Sequence, residues 1–322
     1  MTAGGGDAPV GARVWVLADP RAGTAAQALG IAERLGVLFR AVPLEWGAAA
    51  ALPLAWPSLL GLAPKARDAV RGGPPWPRLA ISAGRRSAPV SLWLGRRGVR
   101  TVHCMRPAFG RRRFDLLVLG RHDAAPEAPN VLSILGATHR ISPARLAAAR
   151  AEWDAALATM PRPRVALLVG GKVRAAGGME PAVAAGIGAR ASGVAGSVLA
   201  TTSRRTGAAA AGALAEALRP VPHRLFRWGD AGPNPYLGFL AWADAVVATG
   251  DSVSMLSEAL ATAAPVFVAD PGGLGARHLA LHASLYAAGQ ARPLASGISF
   301  FSRTPLDESG RVAAEIRARG LL

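Results

Sequence analysis

Short apolar runs alternate with longer stretches of helical spacing along the whole chain, and that alternation restricts the fold to βα units on parallel sheets. Val14–Ala18 reads as a first strand, with a turn at 19–23 and a helix over 24–35. Residues 39–42, 79–82, 100–103, 116–119 and 131–135 continue the strand series. The Ala-rich stretch 143–160 reads as a helix, with Pro143 suited to its first turn, and Pro161-Arg162-Pro163 then breaks the pattern. A second series begins at once. It has strands at Arg164–Val169, 197–201, 225–228, 244–249 and Val266–Ala269, and helices at 206–218, 234–242, 252–262, 277–288 and 311–319. The expectation is an α/β protein of two Rossmann-like domains, residues 1–160 and 161–322, with parallel sheets facing a cleft. A length of 322 residues accommodates two such domains.

Composition excludes several classes. The one cysteine, Cys104, rules out a disulfide framework and fits a reducing compartment. Residues 1–12 show neither a basic n-region nor a long apolar h-region, so no signal peptide is expected. The most apolar stretch, 48–64, contains Pro53, Pro57 and Pro64 and is shorter than the roughly 20 residues a membrane-spanning helix needs. A cytoplasmic protein, at most peripheral on the inner face of the cytoplasmic membrane, is expected.

The net charge is +17, but all except two of the 37 basic residues are arginine in a chain rich in Ala, Gly and Pro, the bias of a GC-rich genome. Its distribution is more telling. Residues 1–160 carry 21 basic and 10 acidic side chains, and between Asp68 and Asp115 eleven arginines occur with no acid among them. That run fits either a solvated basic face or an anionic partner, such as an anionic membrane surface. The stretch 46–64, with Trp56, lies beside Lys65, Arg67 and Arg71, a combination that can sit at a lipid interface or form a Pro-rich core loop. Nucleic acid is not expected, because aromatic residues are scarce among these cations and no recognition module is present.

In open parallel sheets ligands bind beyond the carboxyl ends of the strands. Residues 249–258, Thr249-Gly250-Asp251-Ser252-Val253-Ser254-Met255-Leu256-Ser257-Glu258, follow one such strand. Gly250 permits a tight turn, Asp251 or Ser252 can cap the helix, and Ser252 and Ser254 can donate to phosphate oxygens at its unpaired amides. Glu258 lies one turn beyond Ser254, where it could accept from ribose hydroxyls. An ordinary capped helix fits the same residues. The turn Thr202-Ser203-Arg204-Arg205-Thr206 is similar in kind, with hydroxyls and guanidiniums ahead of a helix. Gly170-Gly171-Lys172 is a third strand-end turn, although Ala166 and Val173 exclude a P-loop.

In the first half, Asp19, Gly23, Thr24 and Gln27 follow the first strand, and Arg85-Arg86 follow the third. Asp19 and Thr24 are the catalytic candidates there, Gly23 allows a close approach, and Gln27 could contact a polar ligand. The glycine fingerprint of dinucleotide binding is absent. His278 and His282 stand at i, i+4, but Leu279 replaces the metalloprotease glutamate, so a structural or solvated role is expected, and His103-Cys104 at a strand end reads as a core thiol. No metal and no resident cofactor are expected.

Five stretches (19–29, Leu168–Gly171, 201–206, Asn234-Pro235-Tyr236 and 249–258) give the chain, over nearly its whole length, a sequence that resembles the bacterial relatives of the mitochondrial-fission Elm family. The last stretch is also similar to the donor-site motif of GT-B glycosyltransferases. The resemblance implies two Rossmann-like domains with a nucleotide-diphosphate sugar between them, and a glycosyltransferase acting on a cell-envelope acceptor, or a non-catalytic protein that retains the fold. It implies a diphosphate at Ser252, Ser254 and nearby amides, a ribose at Glu258, and an acceptor near Asp19–Thr24 and the arginines. It also implies a histidine after the glycine of the first turn, where this chain has Thr24.

Overall fold

The computed structural model describes residues 13–52, 54–124, 126–171 and 178–322. The readings made above on residues 1–12, Pro53, Lys172 and Val173 lie outside these. By contacts the chain divides into two units, Met1–Arg140 with Asp307–Leu322, and Ile141–Leu306.

The first unit is a six-stranded parallel sheet of β1 (Val14–Ala18), β2 (Phe39–Pro43), β3 (Leu79–Ala83), β4 (Arg100–Cys104), β5 (Leu116–Gly120) and β6 (Val131–Ile134), in the order β2-β1-β3-β4-β5-β6. Alternate residues of a strand point to opposite faces, and both faces here are covered, so the strands are apolar throughout. Val14 and Val16 of β1 join one core with helix α1 (Ala22–Leu35), while Trp15 and Leu17 join another with α2 (Pro64–Arg71) and α3 (Ala88–Gly95). The direction of winding reverses at β1, which places the turns after β1 and β3 side by side.

The second unit contains α4 (Pro143–Glu152), α5 (Asp154–Leu157), β7 (Arg164–Val169), α6 (Pro181–Ser192), β8 (Ser197–Thr202), α7 (Ala208–Leu218), β9 (His223–Phe226), α8 (Tyr236–Trp242), β10 (Ala245–Thr249), α9 (Val253–Ala259), β11 (Val266–Ala269), α10 (Ala276–Ala287) and β12 (Arg292–Pro293). Its sheet is also parallel throughout, in the order β12-β11-β10-β7-β8-β9. That is the 3-2-1-4-5-6 order of a Rossmann fold read from the opposite edge, with the switch point between β7 and β10.

The hinge expected at Pro161-Arg162-Pro163 lies inside the second unit. Two packing contacts explain this. The helix ahead of the hinge, α4, packs on α8, where the Trp242 indole donates to the Arg150 carbonyl at 3.0 Å and the Arg150 guanidinium lies 3.9 Å from the Trp242 ring. The last helix, α11 (Glu308–Ala318), returns to the first unit by burying Val312, Ala313 and Ile316 in the α1 core. Glu308 accepts from the Leu135 amide at 2.7 Å, and Ser309 bonds both the amide and the carbonyl of His139. The single helix expected over 143–160 is interrupted at Trp153, which caps α4 and opens α5.

Among the described residues no helix is long and apolar enough to cross a membrane. Within the stretch 48–64, Ala48–Ala51 form a short 3₁₀ turn, and Leu62 pairs with Trp46 in an isolated antiparallel bridge.

His103 is wholly buried between β3 and β5, stacked on Phe114 and 2.8 Å from the Ser82 hydroxyl, and burial pushes its pKa down to about 3. The unfolded chain therefore binds a proton that the folded one refuses between pH 6.5 and about 3. Stability is expected to fall as pH drops through that window, by an amount on the order of 4 kcal/mol from this group. Comparing urea unfolding at pH 7 and pH 4.5 checks this: His103→Gln should show a shallower loss than the parent, and equal losses would contradict it.

Candidate functional site

The three turns of the second unit come together at its switch point. The Gly170 amide donates to the Thr249 hydroxyl at 2.7 Å, joining the end of β7 to the end of β10. The Gly171 amide donates to Asp251 Oδ2 at 3.0 Å, and the same oxygen lies 2.8 Å from the Arg205 guanidinium. Thr206 closes the turn after β8, accepting from the Ser203 amide at 2.9 Å and reaching the carbonyls of Val169 and Gly170. Residues 80 positions apart are thus tied into one polar floor.

Backbone proximity explains the glycines. A Cβ on Gly170 would lie 2.5 Å from both Asp251 carboxylate oxygens, and one on Gly171 would overlap the Arg205 carbonyl. A Cβ on Gly250 would overlap the His282 ring. His282 is buried and donates from Nε2 to the Gly250 carbonyl at 2.9 Å, so it fixes the turn after β10. The structural role expected of His282 is therefore a positioning role at the site. His278, one turn earlier on α10, has its pKa lowered by burial, against the opposing pull of Asp251.

Asp251 differs in character from its neighbours. Its side chain is fully buried, its Oδ2 holds Gly171 and Arg205, and its Oδ1 has no hydrogen-bond partner. It is an internal brace, and it commits the Arg205 charge. Arg204, by contrast, is exposed and has no ion pair among the described residues. Ser252 caps α9 by accepting from the Met255 amide at 3.3 Å, which leaves the Val253 and Ser254 amides without a helical acceptor. Ser254 and Met255 are partly exposed in this first turn.

Glu258 accepts from the Tyr236 hydroxyl at 2.6 Å through Oε2. Burial raises the Glu258 pKa above its ordinary value, while the Tyr236 bond and the nearby charge of Arg145 pull it down. Burial, followed by the Glu258 charge, raises Tyr236 well above its own ordinary value. One oxygen of the proposed ribose acceptor is therefore already in use, a tie the sequence did not signal.

The first unit has its own cavity of about 590 Å³ beyond β1 and β3, lined by Asp19, Thr24, Arg85 and Arg86 together with Arg21, Trp46 and Met105. Gly23 and Gln27 are not among its lining residues, and Gln27 is buried on α1. Asp19 Oδ1 accepts from the Arg21 amide at 2.8 Å and Oδ2 from the Trp46 indole at 3.2 Å. Trp46 and Arg21 were not singled out from the sequence. Arg21 lies only two positions after Asp19, whereas Trp46, 27 positions away, becomes its neighbour only on folding.

Among the described residues no group of three metal-ligating side chains is present. The sequence model of the family described as Mitochondrial fission ELM1 matches residues 22–320. Mitochondrial fission protein ELM1 of Arabidopsis thaliana is 30% identical over 220 residues, which are 60% of this chain and 51% of that protein, so the match spans about half the length of the relative. The crystal structure of MurG from Acinetobacter baumannii superposes with a TM-score of 0.50 at 12% identity, covering 96% of this chain and 92% of that one. The calicheamicin glycosyltransferase CalG4 gives a TM-score of 0.48 at 13% identity, over 97% and 92% of the two chains. The MurG likeness carries the fold: two parallel α/β sheets of the kind found in GT-B glycosyltransferases.

Proposed function

The chain belongs to the mitochondrial fission ELM1 family, and from that premise we propose that its second unit binds a nucleotide-diphosphate sugar at the turns after β7, β8 and β10. The observation that carries this reading is the convergence of Gly170-Gly171, Ser203–Thr206 and Gly250–Asp251 at the switch point, where glycines bring the backbone close and Asp251 stiffens the floor. The diphosphate would take the Val253 and Ser254 amides, the Ser203 and Ser254 hydroxyls and the exposed Arg204. Arg205, held by Asp251, would add positive potential without leaving its partner. Glu258, through the oxygen not bonded to Tyr236, would take a ribose hydroxyl.

In a glycosyltransferase these donors would stabilise the departing diphosphate, the largest electrostatic demand of the reaction. The acceptor would lie in the cavity of the first unit, beside Asp19 and Thr24, and would belong to the cell envelope. A second reading, a binding protein that keeps the fold without turnover, is favoured by one observation. Both oxygens of Asp19 are occupied by N–H donors, and Thr24 stands where the family resemblance implies a histidine. In that case the basic first unit would serve to hold an anionic membrane surface or a partner.

A thermal-shift screen with UDP-, GDP-, ADP- and CMP-linked sugars separates ligand binding from its absence. One nucleotide class should raise the melting temperature by several degrees at saturating ligand. No shift with any of the four would refute donor binding. Hydrolysis of the bound sugar, or its transfer, would then decide between the transferase and the binding protein.

A further inference from the structure

The cavity of the first unit is lined by both charged and apolar side chains. Among them Arg21, Arg85 and Arg86 are exposed and have no ion pair among the described residues. The one carboxylate in the lining, Asp19, is 8% exposed and takes its hydrogen bonds from the Arg21 amide and the Trp46 indole, so it forms no ion pair with the three guanidiniums. Three unpaired guanidiniums around one cavity fit an anion of more than one negative charge, and their planar forks match phosphate oxygens.

The loop that joins β2 to α2 also lines the cavity, and its Trp46 meets Asp19 directly. Trp46 and Leu54 line the cavity from this loop, and so does Leu52, which is 59% exposed. Trp56 and Leu60 follow at 52% and 51%. Three of the nine large apolar side chains found exposed among the described residues thus fall within nine positions of this one loop, and Leu52 of the three lines the cavity itself. Both ends of the loop, and Ser58 within it, are tied down. The Gly47 amide bonds the Gly61 carbonyl at 3.0 Å, the Ala63 amide bonds Glu45, and the Ser58 amide bonds Pro89 at the start of α3. A pinned loop that keeps apolar side chains in water beside a cationic cavity has the layout of a seat for a molecule with one charged end and one apolar end.

We propose that this cavity binds an amphiphilic phosphate, with its phosphate head on Arg21, Arg85 and Arg86 and its hydrocarbon tail leaving across Trp46, Leu52 and Trp56. The proposal deepens the acceptor reading given above by naming the chemical class of the acceptor, and it rests on that reading only for the idea that the molecule is a substrate. Gly84 supports the geometry: its φ of +90° turns the chain after β3, and a Cβ there would lie 2.9 Å from Thr24, so the Arg85-Arg86 turn approaches the β1 turn closely. Met105, another lining residue, is held at φ 74°, a conformation rare for a non-glycine residue that persists only under tertiary constraint.

Calorimetric titration of the full chain with farnesyl monophosphate, kept below its micelle concentration, tests the proposal against inorganic phosphate, farnesol and phosphatidylglycerol vesicles. Farnesyl monophosphate should bind at least tenfold more tightly than either phosphate or farnesol. The double variant Arg85→Ala/Arg86→Ala and the single variant Leu52→Asp, all at exposed positions, should each weaken it at least fivefold with the melting temperature unchanged. Equal affinity for phosphate, equal affinity for farnesol, undiminished binding by both variants, or binding to vesicles alone would each overturn it. Titration of the same variants with nucleotide-sugars keeps the two readings separate. Loss of the amphiphile with nucleotide binding retained is the expected pattern. Amphiphile binding in a protein that takes no nucleotide would refute the transferase reading and leave this site standing.

Discussion

Gly171→Ala is expected to lower the unfolding free energy by about 3 kcal/mol and to abolish nucleotide binding, because the added methyl has no place to go. Its Cβ would overlap the carbonyl of Arg205 and lie 2.9 Å from the Arg205 Cβ. Backbone is the obstacle, so no side-chain rotation relieves the clash. Either the Ser203–Thr206 turn moves away from β7 or the Gly171 amide leaves Asp251. Both responses take apart the floor of the proposed phosphate site, and the second leaves a buried carboxylate oxygen short of a donor. Gly186→Ala is the control. It lies within α6 with nothing within 4 Å of its Cβ, so the same substitution should stabilise by about 0.5–1 kcal/mol through helix propensity. Chemical denaturation of the two variants beside the parent reads the contrast. Similar stabilities for both would contradict the close approach of the β7 and β8 turns.

Arg303→Ala should be at least as damaging, by about 3–4 kcal/mol, through loss of charge-assisted hydrogen bonds to buried carbonyls. The Arg303 guanidinium donates to the carbonyls of Ala264 at 2.8 Å, Leu260 at 3.0 Å and Ala259 at 3.1 Å, and also to Thr262 and to the Gln290 amide oxygen. It thereby satisfies the chain that ends α9 and enters β11, where helix carbonyls lose their partners. A cation at this end of α9 also opposes the partial negative charge of the helix terminus. Burial pushes the Arg303 pKa down to about 10, which leaves it charged at neutral pH. Lysine offers one nitrogen in place of a planar fork, so Arg303→Lys should recover less than half of the loss. Thermal unfolding measures the stability, and hydrogen exchange at the α9 amides locates the effect. Full recovery with lysine would mean that charge alone matters there.

This brace illustrates why part of the structure was hidden in the sequence. The strands were readable because both faces of each sheet are buried, which makes each strand a near-continuous apolar run. Arg164–Val169 and Val266–Ala269 match their strands at both ends. Helix α3 was missed for a related reason: Pro89, Val90, Ser91, Leu92 and Leu94 are all buried, so it has no polar face and no amphipathic period. Helix α6 escaped notice because its small residues serve close packing, with Gly188 against Leu214 and Ala217 of α7. Helix α9 stops at Ala259, three residues short of the expected end, and Arg303 from 44 positions downstream satisfies the carbonyls left over.

The candidate site divides in the same way. Its turns were legible because glycines or hydroxyl residues follow each strand directly: Gly170-Gly171, Thr202–Thr206 and Thr249–Ser252. The inward role of Asp251 was not, since one local pattern serves equally for a carboxylate that caps a helix and one that reaches across to Gly171 and Arg205. The division by contacts falls elsewhere than at Pro161–Pro163 because α4 packs on α8 and α11 on α1, partners far away in sequence.

Calorimetric titration with UDP, GDP, ADP and CMP, on the parent and on an Arg204→Ala/Ser254→Ala variant, tests donor binding most directly. Both residues lie outside the buried brace, so the variant should melt with the parent. One nucleoside diphosphate should bind the parent, and the variant should bind it at least tenfold more weakly. Absence of binding to the parent, or equal affinity for the two proteins, would contradict a phosphate site at these turns.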